Sequence, residues 1–131
     1  MNEYDKQAED FLKKTGTTFN VLTYCGRKPM PNNGNDMMDK WVVEFVRGNN
    51  EWYFDFYMGL GNNGAKPKAY DVLACLTKYD VGSFKDFCAE FGYDAYDEDG
   101  RSKKIYKAVC NEYKEVQRMF GDVLEELSEI W

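Results

Sequence analysis

The stretch from Lys40 to Leu60, KWVVEFVRGNNEWYFDFYMGL, constrains the fold more than any other part of this chain. It holds two runs of strand-forming residues around a Gly-Asn pair, a signature of a tight hairpin. With Gly48 and Asn49 as the turn, one face of the hairpin is wholly apolar. Its cross-strand pairs are Trp41 with Phe56, Val43 with Phe54 and Phe45 with Trp52. We therefore expect an antiparallel sheet whose apolar face is covered by helices and whose other, mixed face meets water.

The remaining elements follow from apolar spacing and from turn residues. Helical spacing predicts a helix over 2–15, a helix over 69–79, a short helix after Ser83 and a long C-terminal helix from Ser102 with a break at Gly121. Residues 17–25 predict a first strand. The segment 26–36, GRKPMPNNGND, is rich in Gly, Pro and Asn and predicts a loop.

Chain length sets the number of domains. The 131 residues suffice for one hydrophobic core but not for two. We expect a single α+β domain over 1–131, with a three-stranded antiparallel sheet packed on one face by about four to five helices.

Charge and residue types exclude several functions. The net charge of −6 opposes direct binding to nucleic acid or to an anionic membrane. The chain has no histidine, which removes Ser-His and Cys-His nucleophile pairs and the common zinc sites. No apolar window is long enough to cross a membrane. We expect a cytoplasmic protein that is not an enzyme, with no catalytic residue, no metal and no cofactor.

Two alternative functional sites are a calcium-binding loop and a reactive cysteine pair. With Gly100 at the sixth position of an EF-hand loop, Ala95 and Tyr106 fall where carboxylates are needed, so the register fails. Cys75 and Cys88 lie among leucines and phenylalanines, which favours packing over reactivity. The apolar stripe predicted for the core is Phe84, Phe87, Cys88 and Phe91.

Two acidic tracts without a basic residue are the most distinctive surface feature. One runs from Asp86 to Asp99 and the other from Asp122 to Glu129. Most such tracts serve solubility, but some acidic surfaces occupy the basic groove of a nucleic-acid enzyme. Tyrosines on the mixed face of the hairpin are predicted to contact solvent or a partner. The candidate partner-binding residues are Asp94, Asp97, Glu98, Asp99, Glu125, Glu126, Glu129, Tyr53 and Tyr57.

Residues 69–94, AYDVLACLTKYDVGSFKDFCAEFGYD, and 102–120, SKKIYKAVCNEYKEVQRMF, resemble a family of small proteins encoded by bacterial phages, prophages and other mobile elements. A weaker similarity covers DFLKKTGTTFNV near the start. The segments GNNGAK and AYDEDG depart from the family pattern. These motifs carry no assigned chemistry, so the resemblance transfers no catalytic residue.

Small size, acidity, missing catalytic machinery and the phage-like motifs together favour a protein that acts by binding. The leading hypothesis is an inhibitor of a host defence system, an anti-CRISPR protein that blocks the nucleic-acid-binding surface of a CRISPR effector nuclease by protein contact. The alternative is an accessory partner of phage replication or recombination machinery.

Overall fold

A computed structural model of the chain describes residues 2–30, 33–76 and 82–130. These residues form an α+β fold, in which a three-stranded antiparallel sheet packs against α-helices. The strands are β1 (Thr17–Met30), β2 (Asn33–Arg47) and β3 (Asn50–Met58). The helices are α1 (Glu3–Lys14), α2 (Ala69–Leu76), α3 (Phe84–Phe91), α4 (Arg101–Phe120) and α5 (Leu124–Ser128), with 3-10 turns at Leu60–Asn62 and Gly121–Val123.

The β2–β3 hairpin has the predicted register. Gly48 and Asn49 form its two-residue turn, and Gly48 takes a φ of 60°, which explains the glycine there. The three predicted cross-strand pairs are all present, Trp41 with Phe56, Val43 with Phe54 and Phe45 with Trp52. The sheet order is β1-β2-β3, so β1 and β3 are its two edges.

The predicted loop over 26–36 is wrong, because both strands continue into it. The first strand, predicted over 17–25, runs on to Met30, and β2 begins at Asn33; residues 31 and 32 lie outside the described part. Proline lacks a backbone donor, yet Pro29 is tolerated because β1 is an edge strand. The β1–β2 pairing is interrupted by register shifts around Leu22 and Cys25 and between Pro29 and Met30. The Gly and Pro content predicted that the strand would end here, but a strand paired with a neighbour continues through these residues.

Helix ends follow their capping residues. The side chain of Asn2 accepts a hydrogen bond from the Asp5 amide at the start of α1, and Gly16 follows α1 with a φ of 66°. Ser83 caps α3 as predicted, by accepting from the Asp86 amide at 3.2 Å. The predicted break at Gly121 is confirmed, since α4 ends at Phe120 and α5 starts at Leu124. The helix predicted over 69–79 is present to Leu76; the rest lies outside the described residues.

The main core lies between the apolar face of the sheet and the helices. Phe45, fully buried at the centre of β2, contacts the rings of Phe19, Trp52, Phe54 and Phe120. Helices α1, α2, α4 and α5 all contribute to this cluster, with Ala8, Phe11, Leu12, Val72, Leu73, Leu76, Val116, Met119, Phe120 and Leu127. The predicted one-sided helical layer is therefore confirmed, and it leaves the other face of the sheet to solvent.

A second, smaller cluster joins α3 to the first half of α4. Phe87 and Cys88 are buried there with Ile105 and Val109. Phe91, which the sequence predicted to be core, is instead 41% exposed. It is the last residue of α3, and although its ring packs on Phe87 at 5.1 Å, no later helical turn shields its outer side.

Candidate functional site

The face of the sheet opposite the helices carries acidic and tyrosine side chains. On β3 the residues Glu51, Tyr53, Asp55 and Tyr57 alternate with buried or half-buried apolar ones, because successive strand residues point to opposite faces. We call this surface the outer sheet face. Across the three strands it comprises Thr18, Asn20, Thr23, Lys40, Val42, Glu44, Val46, Glu51, Tyr53, Asp55 and Tyr57.

Tyr53 lies in the middle of the edge strand β3, opposite Glu44, and is 51% exposed. Its hydroxyl donates a hydrogen bond to Glu51 Oε2 at 2.7 Å. This hydrogen bond, followed by the interaction with Glu44, raises the pKa of the Tyr53 phenol well above its ordinary value. Tyr53 therefore stays protonated over the physiological range. The Glu51 carboxylate keeps free acceptor capacity for a partner's cation.

The other charged groups on the outer sheet face are held in place. The side-chain amide of Asn20 donates to Glu44 Oε1 at 2.7 Å, across the β1–β2 pair. Lys40 Nζ lies 3.3 Å from Asp55 Oδ2, and this hydrogen bond raises the pKa of Lys40. Burial raises the pKa of Tyr57. Three carboxylates thus face one ammonium group, so the surface is electronegative.

This arrangement is suited to recognition. Tyrosines supply rigid, amphipathic contact area, and oriented carboxylates accept paired hydrogen bonds from arginine. Along β3, residues on one face repeat about every 6.8 Å. Glu51 and Asp55 are two such repeats apart, so their carboxylates are far enough from each other to bind separate cations. The chemistry fits a basic protein surface.

The structure separates the two acidic tracts that the sequence proposed. Asp94, Asp97, Glu98 and Asp99 precede α4, whereas Glu125, Glu126 and Glu129 lie in and just after α5, beyond the other end of α4. With 20 residues and a rise of about 1.5 Å per residue, α4 is about 30 Å long. The tracts do not form one patch, and the outer sheet face belongs to neither.

Three acids of the first tract accept hydrogen bonds from nearby backbone amides. Asp97 Oδ2 accepts hydrogen bonds from both the amide and the hydroxyl of Ser102, each at 2.8 Å. Asp99 accepts from the Arg101 amide at 3.0 Å, and Asp94 from the Tyr96 amide at 2.9 Å. Asp97 and Asp99 therefore bond to the first residues of α4, as their position before a helix suggested, whereas Asp94 stabilises the turn that precedes it. In the second tract, Glu126 lies 4.0 Å from Lys14 Nζ at the end of α1.

Other possible sites are less developed. No group of three Cys, Asp or Glu residues among 2–30, 33–76 and 82–130 is arranged to hold a metal ion. Cys88 is buried, burial raises the pKa of its thiol, and Cys75 packs half-buried against the main core. Both observations agree with the packing interpretation. No helix in the described part of the chain is long and apolar enough to cross a bilayer.

Sequence reasoning named Tyr53 and Tyr57 but missed the acids beside them as site residues. Glu44, Glu51 and Asp55 are separated in sequence by apolar residues, so they form no run of consecutive acids. The period-2 alternation of the hairpin was the signal that places them on one surface.

Comparison with known proteins does not assign this chain to a family. No protein-family model, curated protein or solved structure matches the chain.

Proposed function

We propose that this protein acts by binding, with its outer sheet face docked on a basic surface of a partner protein. The observation that carries the proposal is the exposed group of Glu51, Tyr53 and Asp55 on a sheet face that, within the described part of the chain, no helix of the main core covers. Oriented carboxylates around an exposed tyrosine match the composition of interfaces that recognise arginine and lysine.

The partner class follows from charge. A surface with three carboxylates, on a chain of net charge −6, attracts cationic surfaces at long range. The most strongly cationic protein surfaces are those that bind nucleic acid. Occupying such a surface excludes the nucleic acid, so the protein is proposed to inhibit its partner. In view of the phage-like motifs, the proposed partner is a CRISPR effector nuclease of the bacterial host.

The outer sheet face is a better candidate than the acidic tracts. Asp97 and Asp99 already accept backbone hydrogen bonds from the first residues of α4. Reversing their charge would therefore disturb the helix as well as the surface. Glu51 and Asp55 lie on the exposed side of an edge strand, where substitution leaves the core intact.

The test is capture from a bacterial lysate that expresses CRISPR effectors, with the tagged full chain as bait and washes of rising salt. We expect a nuclease to be retained at low salt and to elute as salt screens the contact. The double variant Glu51→Lys with Asp55→Lys should lose both the nuclease and its inhibition. The matched control, Glu125→Lys with Glu129→Lys, changes net charge equally on exposed residues at α5 and should retain both. Loss with the control but not with the β3 pair would reject the outer sheet face.

A second candidate uses the same surface. The exposed Tyr53 also suits a partner from phage replication or recombination machinery. Retention of such a protein, with no nuclease and no inhibition of cleavage, would replace the inhibitor proposal by this one.

A further inference from the structure

The two edges of the sheet differ in how their backbone groups are satisfied. At the β3 edge, Arg118 from α4 donates from Nη2 to the Glu51 carbonyl at 2.8 Å and from Nη1 to Asn50 Oδ1 at 3.2 Å. Among the described residues, no side chain or backbone group from outside the sheet bonds the backbone of Thr17–Val21 at the β1 edge. Unpaired strand edges are templates for another strand.

The hairpin register shows which β1 groups point outward. In a two-residue hairpin the flanking pair, here Arg47 with Asn50, exchanges backbone hydrogen bonds, and bonded and non-bonded pairs then alternate. Even-numbered residues of β2 therefore bond to β1, through Val46 with Thr18 and Glu44 with Asn20. It follows that the backbone groups of Phe19 and Val21 point away from β2. The outward Glu51 carbonyl at the β3 edge agrees with this alternation.

A groove lies directly along this open edge. Its volume is about 660 Å³, and three consecutive β1 residues, Phe19, Asn20 and Val21, line it. Because consecutive strand residues point to opposite faces, all three can line one groove only through the strand edge. The opposite walls are α1, through Leu12, and the start of α2 with the segment before it, through Tyr70 and Pro67.

The charges in the groove select the kind of occupant. Asp5 and Glu9 line it on the α1 side, and Asp5 pairs with Lys68 Nζ at 3.4 Å. With two carboxylates and two ammonium groups, the lining is neutral and gives a polyanion such as nucleic acid no net attraction. The remaining charges, Glu9 on one wall and Lys66 on the other, complement a chain that carries side chains of both signs. The outward amide and carbonyl groups can pair with an extended peptide, whose own backbone carbonyls and amides supply the matching hydrogen-bond partners.

We propose that the β1 edge from Thr17 to Val21 binds an extended peptide segment of a partner protein as a fourth strand. The peptide backbone pairs with the outward groups of Phe19 and Val21, at the strand spacing of about 4.8 Å. Alternate peptide side chains enter the groove between Leu12 and Tyr70, so the peptide carries apolar residues at those positions. The register shifts around Leu22 and Cys25 end the pairing edge and limit its length. This site uses the backbone edge of β1, whereas the proposed function rests on Glu51, Tyr53 and Asp55 of β3, at the opposite edge of the sheet.

Amide hydrogen exchange of the free full chain tests the edge first. The amides of Phe19 and Val21 should exchange quickly, and those of Thr18 and Asn20 slowly, because only the latter bond to β2. Equal protection of all four in the monomer would overturn the assignment. Protection of Phe19 and Val21 that rises with protein concentration would also overturn it, because the occupant would then be a second copy of the chain.

Peptide binding tests the occupant. A displayed library of random linear peptides is selected on the immobilised full chain, and a recovered peptide is synthesised as the probe. We expect apolar residues at alternate positions, and protection of the Phe19 and Val21 amides when the probe binds. Val21→Pro removes one outward donor, which an edge strand tolerates, and should weaken binding by about tenfold or more. Lys103→Glu, on the exposed side of α4, is the control and should bind normally. Recovery of no peptide, or binding without protection at these amides, would overturn the proposal.

Discussion

Arg47 at the end of β2 holds the carboxylate of Asp122 with two hydrogen bonds, from Nη1 at 2.6 Å and from Nη2 at 2.9 Å. The same guanidinium also donates to the backbone carbonyls of Met119, at 2.7 Å, and Thr15, at 3.2 Å. One side chain therefore joins the end of the central strand to the end of α1 and to the break between α4 and α5. The planar guanidinium group of arginine carries several N–H donors in a fixed arrangement, so it can form these hydrogen bonds simultaneously.

We predict that Arg47→Lys destabilises the fold by about 2 kcal/mol, because lysine cannot reproduce the fork that bonds both carbonyls and the carboxylate. Urea denaturation followed by circular dichroism measures the change. Lys114→Arg, a substitution on the exposed side of α4, is the control and should be neutral. Equal midpoints for wild type and Arg47→Lys would show that this junction contributes little.

The Arg47–Asp122 pair also predicts a dependence on pH. Its hydrogen bond to Arg47 lowers the pKa of Asp122 below the ordinary value of 3.8. A lowered pKa in the folded state stabilises the fold above the unfolded-state pKa, and this stabilisation is lost as pH falls through the folded-state pKa. The stability gap between wild type and Asp122→Asn should therefore be present at neutral pH and shrink as the pH falls from the unfolded-state pKa through the folded-state pKa. A gap that stays constant with pH would contradict the pairing.

Phe45 is the centre of the main core, with no exposed surface and four aromatic neighbours. Phe45→Ala should cost about 3–5 kcal/mol, since it leaves a cavity that rigid rings cannot fill. Tyr53→Ala on the outer sheet face is the matched control and should change stability far less. Denaturant midpoints of the two variants provide the comparison, and similar losses would contradict the one-sided core.

Gly48 occupies the hairpin turn with a φ of 60°. Gly48→Ala places a β-carbon in the left-handed region and should destabilise the fold by about 1 kcal/mol. Gly61→Ala, at a glycine without positive φ and with open space around its β-carbon, is expected to be neutral. Thermal unfolding of both variants checks the difference. A destabilised Gly61→Ala with an unaffected Gly48→Ala would refute the turn assignment.

Asp97 starts α4 through its two hydrogen bonds from Ser102. Asp97→Ala should destabilise the fold by about 1 kcal/mol, the typical loss for a helix cap. Glu98→Ala removes a neighbouring exposed acid and should leave stability unchanged. If both variants unfold at the wild-type midpoint, the carboxylate of Asp97 is available for a partner after all.

The amino-acid sequence by itself determined the local pattern of this protein. The Gly-Asn turn and the alternation around it fix the β2–β3 register, because shifting it by one residue would turn Phe45 and Trp52 to the solvent. The same holds for the seam of α4, where Ile105, Val109, Val116 and Phe120 are buried as their spacing predicts. These features depend on neighbours a few residues apart, so a single sequence carries them.

Only the tertiary structure decided which residues distant in sequence become neighbours. The strand β1 continues through Gly26 and Pro29, and β2 already starts at Asn33, because strand pairing satisfies backbone groups with little regard to the side chains. The length of α4 separates the acidic tracts, and Arg118 closes one sheet edge while the other opens on a groove. The burial of Asp39 is also set by the tertiary structure. This residue is only 1% exposed and accepts a hydrogen bond from the Tyr24 hydroxyl at 2.7 Å. Such relationships join residues far apart in the chain, and no local pattern specifies them.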